Sequence, residues 1–181
     1  MKKKIYIKTA FLSLTVMSLL SSCLKDSRYI DYSGVGTLIE LPLAEPQPYE
    51  YNGPGGVFQS PSFSISSASD TLTVAVNVAS PKPLGSALSV TLSVTDTTTL
   101  HSQYPSTYKL LPSSDYTIIG GLTVTIPANQ RLGYAKFIIN TKAIGVANSG
   151  VYVLPVTIES ASGQQIAQPY KALLYNINVT P

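Results

Sequence analysis

Several residue types that build reactive or metal-binding sites are scarce in this sequence. Its 181 residues include one cysteine, Cys23, one histidine, His101, and no tryptophan. One thiol cannot form an internal disulfide, and the chain clusters too few ligands for a metal site. The sequence has no Gly-x-Ser-x-Gly motif to supply a nucleophilic serine, for which His101 could act as the base in a hydrolase. We therefore predict no metal, no cofactor and a stability that comes from packing.

Charged residues are also few, at 12% of the chain. The formal charge of +3 is misleading, because four of the twelve basic residues lie within the first eight positions. The chain after residue 22 carries eight basic and nine acidic groups, a net charge of −1. This balance offers no basic surface for phosphates, so we expect no nucleic-acid partner.

The acidic residues do not form the arrangement that glycoside hydrolysis needs. That reaction requires two carboxylates placed about the scissile bond, and the nine Asp and Glu residues are scattered along the chain. Asp70 and Asp96 adjoin predicted strands, where acidic residues commonly make turns or caps. We predict a protein that is not an enzyme.

The first 23 residues have the features of an export signal. Lysines 2, 3, 4 and 8 precede an apolar run, Phe11 to Leu20, that is too short to span a bilayer. The sequence Leu-Ser-Ser-Cys that ends at Cys23 resembles a lipobox, which predicts lipidation of Cys23. The alternative is an ordinary secretory signal with a free cysteine beside the cleavage point.

This reading divides the chain into a signal peptide (1–22), a lipidated tether (23–34) and a single β-sandwich domain (35–181). Lys25 and Asp26, directly after the cysteine, are similar to the short charged signal that exports Bacteroidetes lipoproteins to the outside of the outer membrane. We therefore expect a lipid-anchored outer-membrane protein that faces the cell surface, with the membrane as a partner through Cys23.

Alternating apolar and polar residues predict an all-β fold. Thr71 to Ala79 and Leu88 to Asp96 each place four aliphatic side chains on one face and mostly polar residues on the other. The connection between them is too long for a two-residue hairpin, so the second strand is expected in the opposite sheet. About eight strands at this spacing predict an Ig-like antiparallel β-sandwich with Greek-key connections.

The remaining segments are interpreted from their turn residues. Residues 44–62 are rich in proline and glycine and predict a long loop, and 97–106 predict an irregular crossover with one helical turn capped by Asp96. Gly120-Gly121 predicts a tight hairpin. Pro155 lacks an amide hydrogen and predicts an edge or a bulge in its strand. Further strands are predicted at Val35 to Leu43, Tyr108 to Pro112, Asp115 to Ile119, Leu122 to Ile126, Leu132 to Asn140, Val151 to Ile158 and Leu173 to Val179.

Several local motifs resemble one family. They are Tyr104, the Tyr-Lys-Leu-Leu-Pro segment at 108–112, Asp115-Tyr116, the Val-Thr-Ile-Pro segment at 124–127 and the Tyr-Val-Leu-Pro-Val-Thr-Ile strand at 152–158. They resemble the β-sandwich domain of uncharacterised function in Bacteroidetes surface lipoproteins. That domain is found ahead of family-18 endo-β-N-acetylglucosaminidases or carbohydrate-binding domains, in gene clusters for polysaccharide utilisation.

The resemblance implies a non-catalytic accessory or scaffold role in glycan capture and utilisation, with glycans or surface glycan-utilisation proteins as partners. The sequence ends where the family's second domain would begin, so the activity of that domain is not implied. The alternative is a structural or adhesion component of a surface appendage. Such a component would offer an unpaired sheet edge or a detachable terminal strand.

Tyrosines are abundant and are the best candidates for sugar contacts, because an aromatic face stacks on a sugar ring and the hydroxyl forms hydrogen bonds. Tyr116, Tyr152 and Tyr175 lie on predicted strands, where we expect packing residues with satisfied hydroxyls. The tyrosines in or beside predicted loops are the predicted ligand-binding residues, namely Tyr49, Tyr51, Tyr104 and Tyr108.

Overall fold

The strands of this protein form two main sheets that face each other across a shared core. The computed structural model describes residues 36–45, 57–103 and 107–181. The described strands are β1 (Leu38–Glu40), β2 (Phe58–Gln59), β3 (Ser62–Ser64), β4 (Asp70–Ala79), β5 (Leu88–Ser93), β6 (Lys109–Leu110), β7 (Tyr116–Ile119), β8 (Thr123–Ile126), β9 (Leu132–Ile139), β10 (Tyr152–Ser160), β11 (Gln165–Ile166), β12 (Ala172–Asn176) and β13 (Asn178–Thr180). The described helices are α1 (Thr98–Gln103) and α2 (Thr141–Ile144), and short 3₁₀ turns cover Pro42–Ala44, Ser113–Asp115, Val146–Asn148 and Gln168–Tyr170.

The first sheet has the strand order β11-β1-β4-β9-β7. Its longest ladder joins β4 and β9 in antiparallel register from the pair Asp70 and Ile139 to the pair Asn77 and Leu132. The second sheet has the order β2-β12-β10-β5-β8, and β6 pairs with the start of β10. A separate two-stranded sheet joins β13 to β3 in parallel.

The alternating residues of the long strands build the core between the two sheets. Val74 and Val76 of β4 and Phe137 of β9 are fully buried, and Val90 and Leu92 of β5 are buried on the opposing sheet. These side chains come from faces that the alternation marks as apolar, because in a strand every second residue points to the same side. The predicted all-β sandwich is confirmed, and β4 and β5 lie in opposite sheets as predicted.

The predicted hairpin at Gly120-Gly121 was wrong. β7 before the pair belongs to the first sheet, where it bonds β9, whereas β8 after the pair bonds β5 in the second sheet. Both glycines have positive φ, 78° and 82°, a conformation that side-chain-bearing residues rarely adopt. The pair carries the chain from one sheet to the other.

Pro155 lies inside a central strand, so the predicted edge was wrong. The register shift of β10 against β5 falls farther along the strand, between Ile158 and Ser160. The carbonyl of Val153 accepts a hydrogen bond of 2.9 Å from the amide of Leu111, on the side of β10 that faces β6 and β5. In a strand, the backbone groups of residues two apart point toward the same neighbouring strand, so the nitrogen of Pro155 faces this side as well. On that side β6 pairs with 152–153 and β5 with 157–160, and the proline falls in the interval between them.

Several short elements escaped the sequence analysis. The predicted loop at 44–62 contains β2, and the predicted final strand is divided into β12 and β13. The segment after β9 begins with α2, which was not predicted, and there the Asn140 side chain accepts a hydrogen bond from the amide of Ala143. Elements of two to four residues are too short to show a periodic pattern.

The described residues belong to a compact unit that spans Val35–Pro181. Within the described ranges, no helix has the length and apolar character needed to cross a bilayer. The predicted signal peptide and tether, with Cys23, Lys25 and Asp26, lie outside the described residues.

Candidate functional site

Of the four predicted ligand tyrosines, the structure describes Tyr108. The other three, Tyr49, Tyr51 and Tyr104, lie outside the described residues. Tyr108 is half-buried directly before β6. It belongs to a small apolar cluster that is separate from the core between the sheets.

This cluster covers the outer face of the second sheet. Val153 of β10 and Leu174 of β12 point away from the main core, yet both are buried beneath Leu100 of α1. Val57, Phe58 and Tyr108 pack around them as partly buried side chains. We call these six residues the Phe58–Tyr108 cluster.

Two parallel strand pairings bring the aromatic rings together. β2 places Phe58 opposite Leu174, and β6 places Leu110 opposite Val153, so both strands flank the same pair of central strands. The Phe58 and Tyr108 ring centroids are 5.0 Å apart, with the ring planes tilted by 41°. This is an attractive aromatic arrangement that leaves both residues partly accessible.

Helix α1 depends on a side-chain hydrogen bond at its start. The amide of Thr98 donates to Oδ1 of Asp96 at 2.9 Å, which satisfies one of the free amides of the first turn. The Thr98 backbone hydrogen bond is the main reason that the pKa of Asp96 is lowered. The predicted helical turn with Asp96 as its cap is therefore confirmed. His101 lies on the same helix with an exposed side chain.

A buried amide adjoins the cluster. Asn176 lies opposite Val153 in the pairing of β10 with β12, is 8% exposed, and its Oδ1 accepts no hydrogen bond. A buried acceptor without a hydrogen-bond donor costs free energy, because it loses its hydrogen bonds to water on folding. Asn176 was not among the predicted site residues, although an amide at the end of the apolar run Ala-Leu-Leu-Tyr was the available signal.

Three of the described carboxylates, those of Asp70, Asp96 and Asp115, accept hydrogen bonds from neighbouring backbone or hydroxyl groups. Oδ1 of Asp70 accepts from the amide of Thr71 at 2.7 Å, and Oδ1 of Asp115 accepts from the hydroxyl of Ser114 at 2.9 Å. Glu40 is buried and accepts from Nδ2 of Asn77 at 2.7 Å, and burial raises its pKa. Among the described residues, no three His, Cys, Asp or Glu side chains come close enough to hold a metal ion.

The tyrosines predicted to pack within strands divide into two cases. Tyr116 and Tyr152 are partly buried against the core, and the Tyr116 ring lies 6.4 Å from that of Phe137. Tyr175 is 2% exposed, but its hydroxyl has no hydrogen-bond partner. The prediction of a satisfied hydroxyl was wrong for Tyr175, because its strand directs the ring into an apolar core.

A second surface with an aromatic residue lies on the outer face of the first sheet. Tyr134 of β9 is 55% exposed there, with Leu132 and Lys136 exposed on the same strand. The alternation had placed Tyr134 and Lys136 on the outward side of their strand. Neither residue was predicted as a ligand contact, because the predicted contacts were the tyrosines in or beside loops.

A family model described as a "-like, N-terminal domain" matches residues 49–165. That range is more than half of the chain. The chain belongs to this family. The resemblance to an N-terminal β-sandwich domain of Bacteroidetes proteins, drawn from the motifs, is thereby confirmed. No curated protein matches the sequence.

Solved structures of Bacteroides proteins share the fold. A candidate carbohydrate-binding protein of Bacteroides ovatus is 16% identical with a TM-score of 0.52, over 66% of this chain and 35% of its own. EndoBT-3987 of Bacteroides thetaiotaomicron, crystallised with a Man5GlcNAc product, is 18% identical with a TM-score of 0.52, over 69% of this chain and 29% of its own. A multidomain Bacteroides ovatus protein that includes DUF1735 is 16% identical with a TM-score of 0.57, over 80% of this chain and 45% of its own. The chain thus spans less than half the length of each.

Proposed function

We propose that this chain is a non-catalytic accessory or scaffold module for glycan capture and utilisation. The observation that carries the proposal is its membership in an N-terminal-domain family over residues 49–165. Related folds occur in a candidate carbohydrate-binding protein and in EndoBT-3987, each of which has more than half of its chain outside the matched part. This distribution supports a module that works beside binding or catalytic domains.

The geometry that supports glycan contact is the Phe58–Tyr108 cluster. It presents two partly accessible aromatic rings whose centroids are 5.0 Å apart. Sugars offer C–H faces that can stack on such rings, and the Tyr108 hydroxyl adds a hydrogen-bonding group. Tyr49, Tyr51 and Tyr104 are proposed as further contacts on sequence grounds.

We further propose that the module is anchored in the outer membrane through lipid on Cys23 and faces the cell surface. The support is the basic and apolar leader, the lipobox-like residues before Cys23, and the Lys25-Asp26 pair after it. Surface display would let weak glycan contacts act in concert, because neighbouring modules on one membrane bind with high effective concentration.

Calorimetry with neutral oligosaccharides, including a high-mannose glycan, on the chain without residues 1–22 tests the glycan proposal. We expect weak binding, with a Kd on the order of millimolar, that Tyr108→Ala or Tyr104→Ala abolishes. Lys142→Gln, at an exposed position on α2 outside the cluster, is the control and should leave binding unchanged. Binding that survives both tyrosine substitutions, or turnover of a glycoside, would contradict the proposal.

The alternative role, a strand-pairing component of a surface appendage, is favoured by two sheet edges. In the described part of the chain, β7 bonds only β9 and β8 bonds only β5, so each leaves one side of its backbone unpaired. Strand addition at such edges would produce dimers or filaments. Light scattering of the concentrated protein distinguishes the two roles, since the accessory role predicts no filaments.

A further inference from the structure

The outer face of the first sheet carries a second group of side chains suited to a ligand. Strand register puts Tyr134 opposite Ala75, and Lys136 lies between Thr73 of β4 and Ile119 of β7. Asn77 and Leu132 form the next row beyond Tyr134. We call the outward residues Thr73, Asn77, Ile119, Leu132, Tyr134 and Lys136 the Tyr134 face.

The backbone beneath this face is held on both sides. β9 is bonded to β4 and β7, and its inward residues Ala135 and Phe137 are buried. At the start of β9, Nη1 of Arg131 donates to the carbonyl of Ser80 at 2.6 Å. A ligand therefore meets side chains on a rigid surface, and little backbone entropy is lost on binding.

Lys136 supplies the cation beside Tyr134 on this face. Among the outward positions of the described strands in this sheet, Lys136 is the one cation and Glu40 is the one carboxylate. Glu40 of β1 lies in the same row as Asn77 and Leu132, and Lys136 is four residues beyond Leu132 along β9. Strands β1 and β9 are two strand positions apart, with β4 between them. That corresponds to about 13 Å along and about 10 Å across. At this separation the two side chains do not form an ion pair, so Glu40 does not occupy the Lys136 ammonium.

Glu40 is also occupied by another contact. Its carboxylate accepts the 2.7 Å hydrogen bond from Asn77, and burial raises its pKa. The same hydrogen bond holds the Asn77 amide in place on the face.

The polarity of the face fits a sugar better than a protein surface. Ile119 lies beside Lys136, whereas Leu132 is four residues away along β9, so the exposed aliphatic residues do not form a continuous patch. Stable protein interfaces have an apolar core depleted of charge. An exposed aromatic ring with a lysine, a threonine hydroxyl and an amide around it offers a polar ligand both a stacking surface and hydrogen-bonding groups.

We propose that the Tyr134 face binds an acidic oligosaccharide that contains uronate units. A sugar ring stacks on Tyr134, its carboxylate pairs with the Lys136 ammonium two residues along the strand, and Thr73 and Asn77 bind hydroxyl groups. Tyr134 and Lys136 point to the same side with Cα atoms about 7 Å apart, which suits one sugar unit. The inference goes beyond the proposed function, because it names another face and a chemical class of ligand and does not depend on the Phe58–Tyr108 cluster.

The test uses oligogalacturonate and the methyl ester of the same oligosaccharide, titrated into the chain without residues 1–22 at low salt. We expect the acid to bind at least about fivefold more tightly than the ester, and the difference to shrink as salt is added. Lys136→Gln and Tyr134→Ala should each weaken binding of the acid by at least about threefold.

One control accompanies these variants. Lys142→Gln removes an exposed lysine on α2, outside the Tyr134 face, and should not change binding of the acid. Equal binding of acid and ester, or binding that Lys136→Gln leaves unchanged, would overturn the inference. A protein partner captured through Tyr134 with no affinity for oligogalacturonate would overturn it as well. Loss of neutral-glycan binding alone bears on the proposed function and leaves this inference standing.

Discussion

At the scale of single residues, Gly133 of β9 shows how closely the two sheets approach. A Cβ atom at this position would lie 2.6 Å from Cγ1 of Val124 and 2.8 Å from Cγ1 of Ile126, both on β8 of the opposite sheet. It would also lie 3.1 Å from the carbonyl oxygen of Thr125. Since backbone limits how far β8 can move, a side chain larger than hydrogen strains the contact.

We expect Gly133→Ala to lower the free energy of unfolding by about 1–3 kcal/mol, the usual cost of overpacking a core. Gly85→Ala is the control, because no atom lies within 4 Å of a Cβ there. Urea denaturation of both variants measures the difference. Equal stabilities would show that the two sheets separate at this point with little cost.

Tyr175 places a hydroxyl without a partner in the core, and this burial raises its pKa. In the unfolded chain the phenol ionises near the ordinary tyrosine pKa of 10.0. Because the folded pKa is higher, the unfolded state loses the proton first as pH rises. Stability contributed by the neutral phenol is therefore present below pH 10.0 and lost above it.

Tyr175→Phe removes both the unsatisfied hydroxyl and the ionisation. We expect the variant to be as stable as the parent or more stable, by up to about 1–3 kcal/mol at neutral pH, and to lose less stability above about pH 10. Urea denaturation at neutral pH and at about pH 11 checks both effects. A clearly less stable variant with the parent's alkaline loss would mean that the hydroxyl has a stabilising partner.

At the scale of elements, helix α1 links a local cap to the Phe58–Tyr108 cluster. Asp96→Ala removes the acceptor of the 2.9 Å hydrogen bond from Thr98, which we expect to cost about 0.5–2 kcal/mol. Asp96→Asn keeps an acceptor oxygen and should cost much less. Because the folded pKa of Asp96 is lowered, its contribution is present above the ordinary aspartate pKa of 3.8 and is lost as pH falls through the folded pKa. Thermal denaturation at neutral pH compares the two variants.

The phase of β5 gives another element-scale prediction. Leu92 is 1% exposed within the core, whereas the neighbouring Thr91 points outward and is partly exposed. Leu92→Ala should cost about 1–3 kcal/mol through lost burial and a residual cavity. Thr91→Ala should cost far less. Equal losses in denaturant would contradict the strand phase.

At the scale of the whole molecule, membrane attachment is predicted to depend on one residue. Cys23→Ala removes the only thiol in the chain, so the variant should carry no lipid and should leave the membrane fraction or accumulate as a precursor. Stable attachment needs more than one acyl chain, which lipidation at a lipobox would supply. Fractionation and metabolic labelling with a fatty-acid analogue measure this, and a parent protein without label would refute it.

Outward display is tested separately. Protease treatment of intact cells should remove the domain from the surface, because the proposed tether at 23–34 holds it outside the membrane. Full resistance, in cells whose known surface proteins are digested, would place the domain on the inner side of the outer membrane.

The sequence by itself determined the fold class and the inward faces of the long strands. Every second residue is buried between the sheets in β4 from Leu72 onward, in β5 from Leu88 onward and in β9 from Gly133 onward. This prediction succeeded because the two-residue period of a strand is a local property. The leader motif around Cys23 is local in the same sense.

Only the tertiary structure decided which strands are neighbours. It showed that Gly120-Gly121 joins two sheets, that Pro155 falls between two partners of β10, and that Val153 and Leu174 are buried on an outer face beneath α1. It also brought Phe58 to Tyr108 and set Lys136 between Thr73 and Ile119. These relations join residues far apart in the chain, and side-chain alternation specifies the face on which a residue lies but not the strand that will lie beside it.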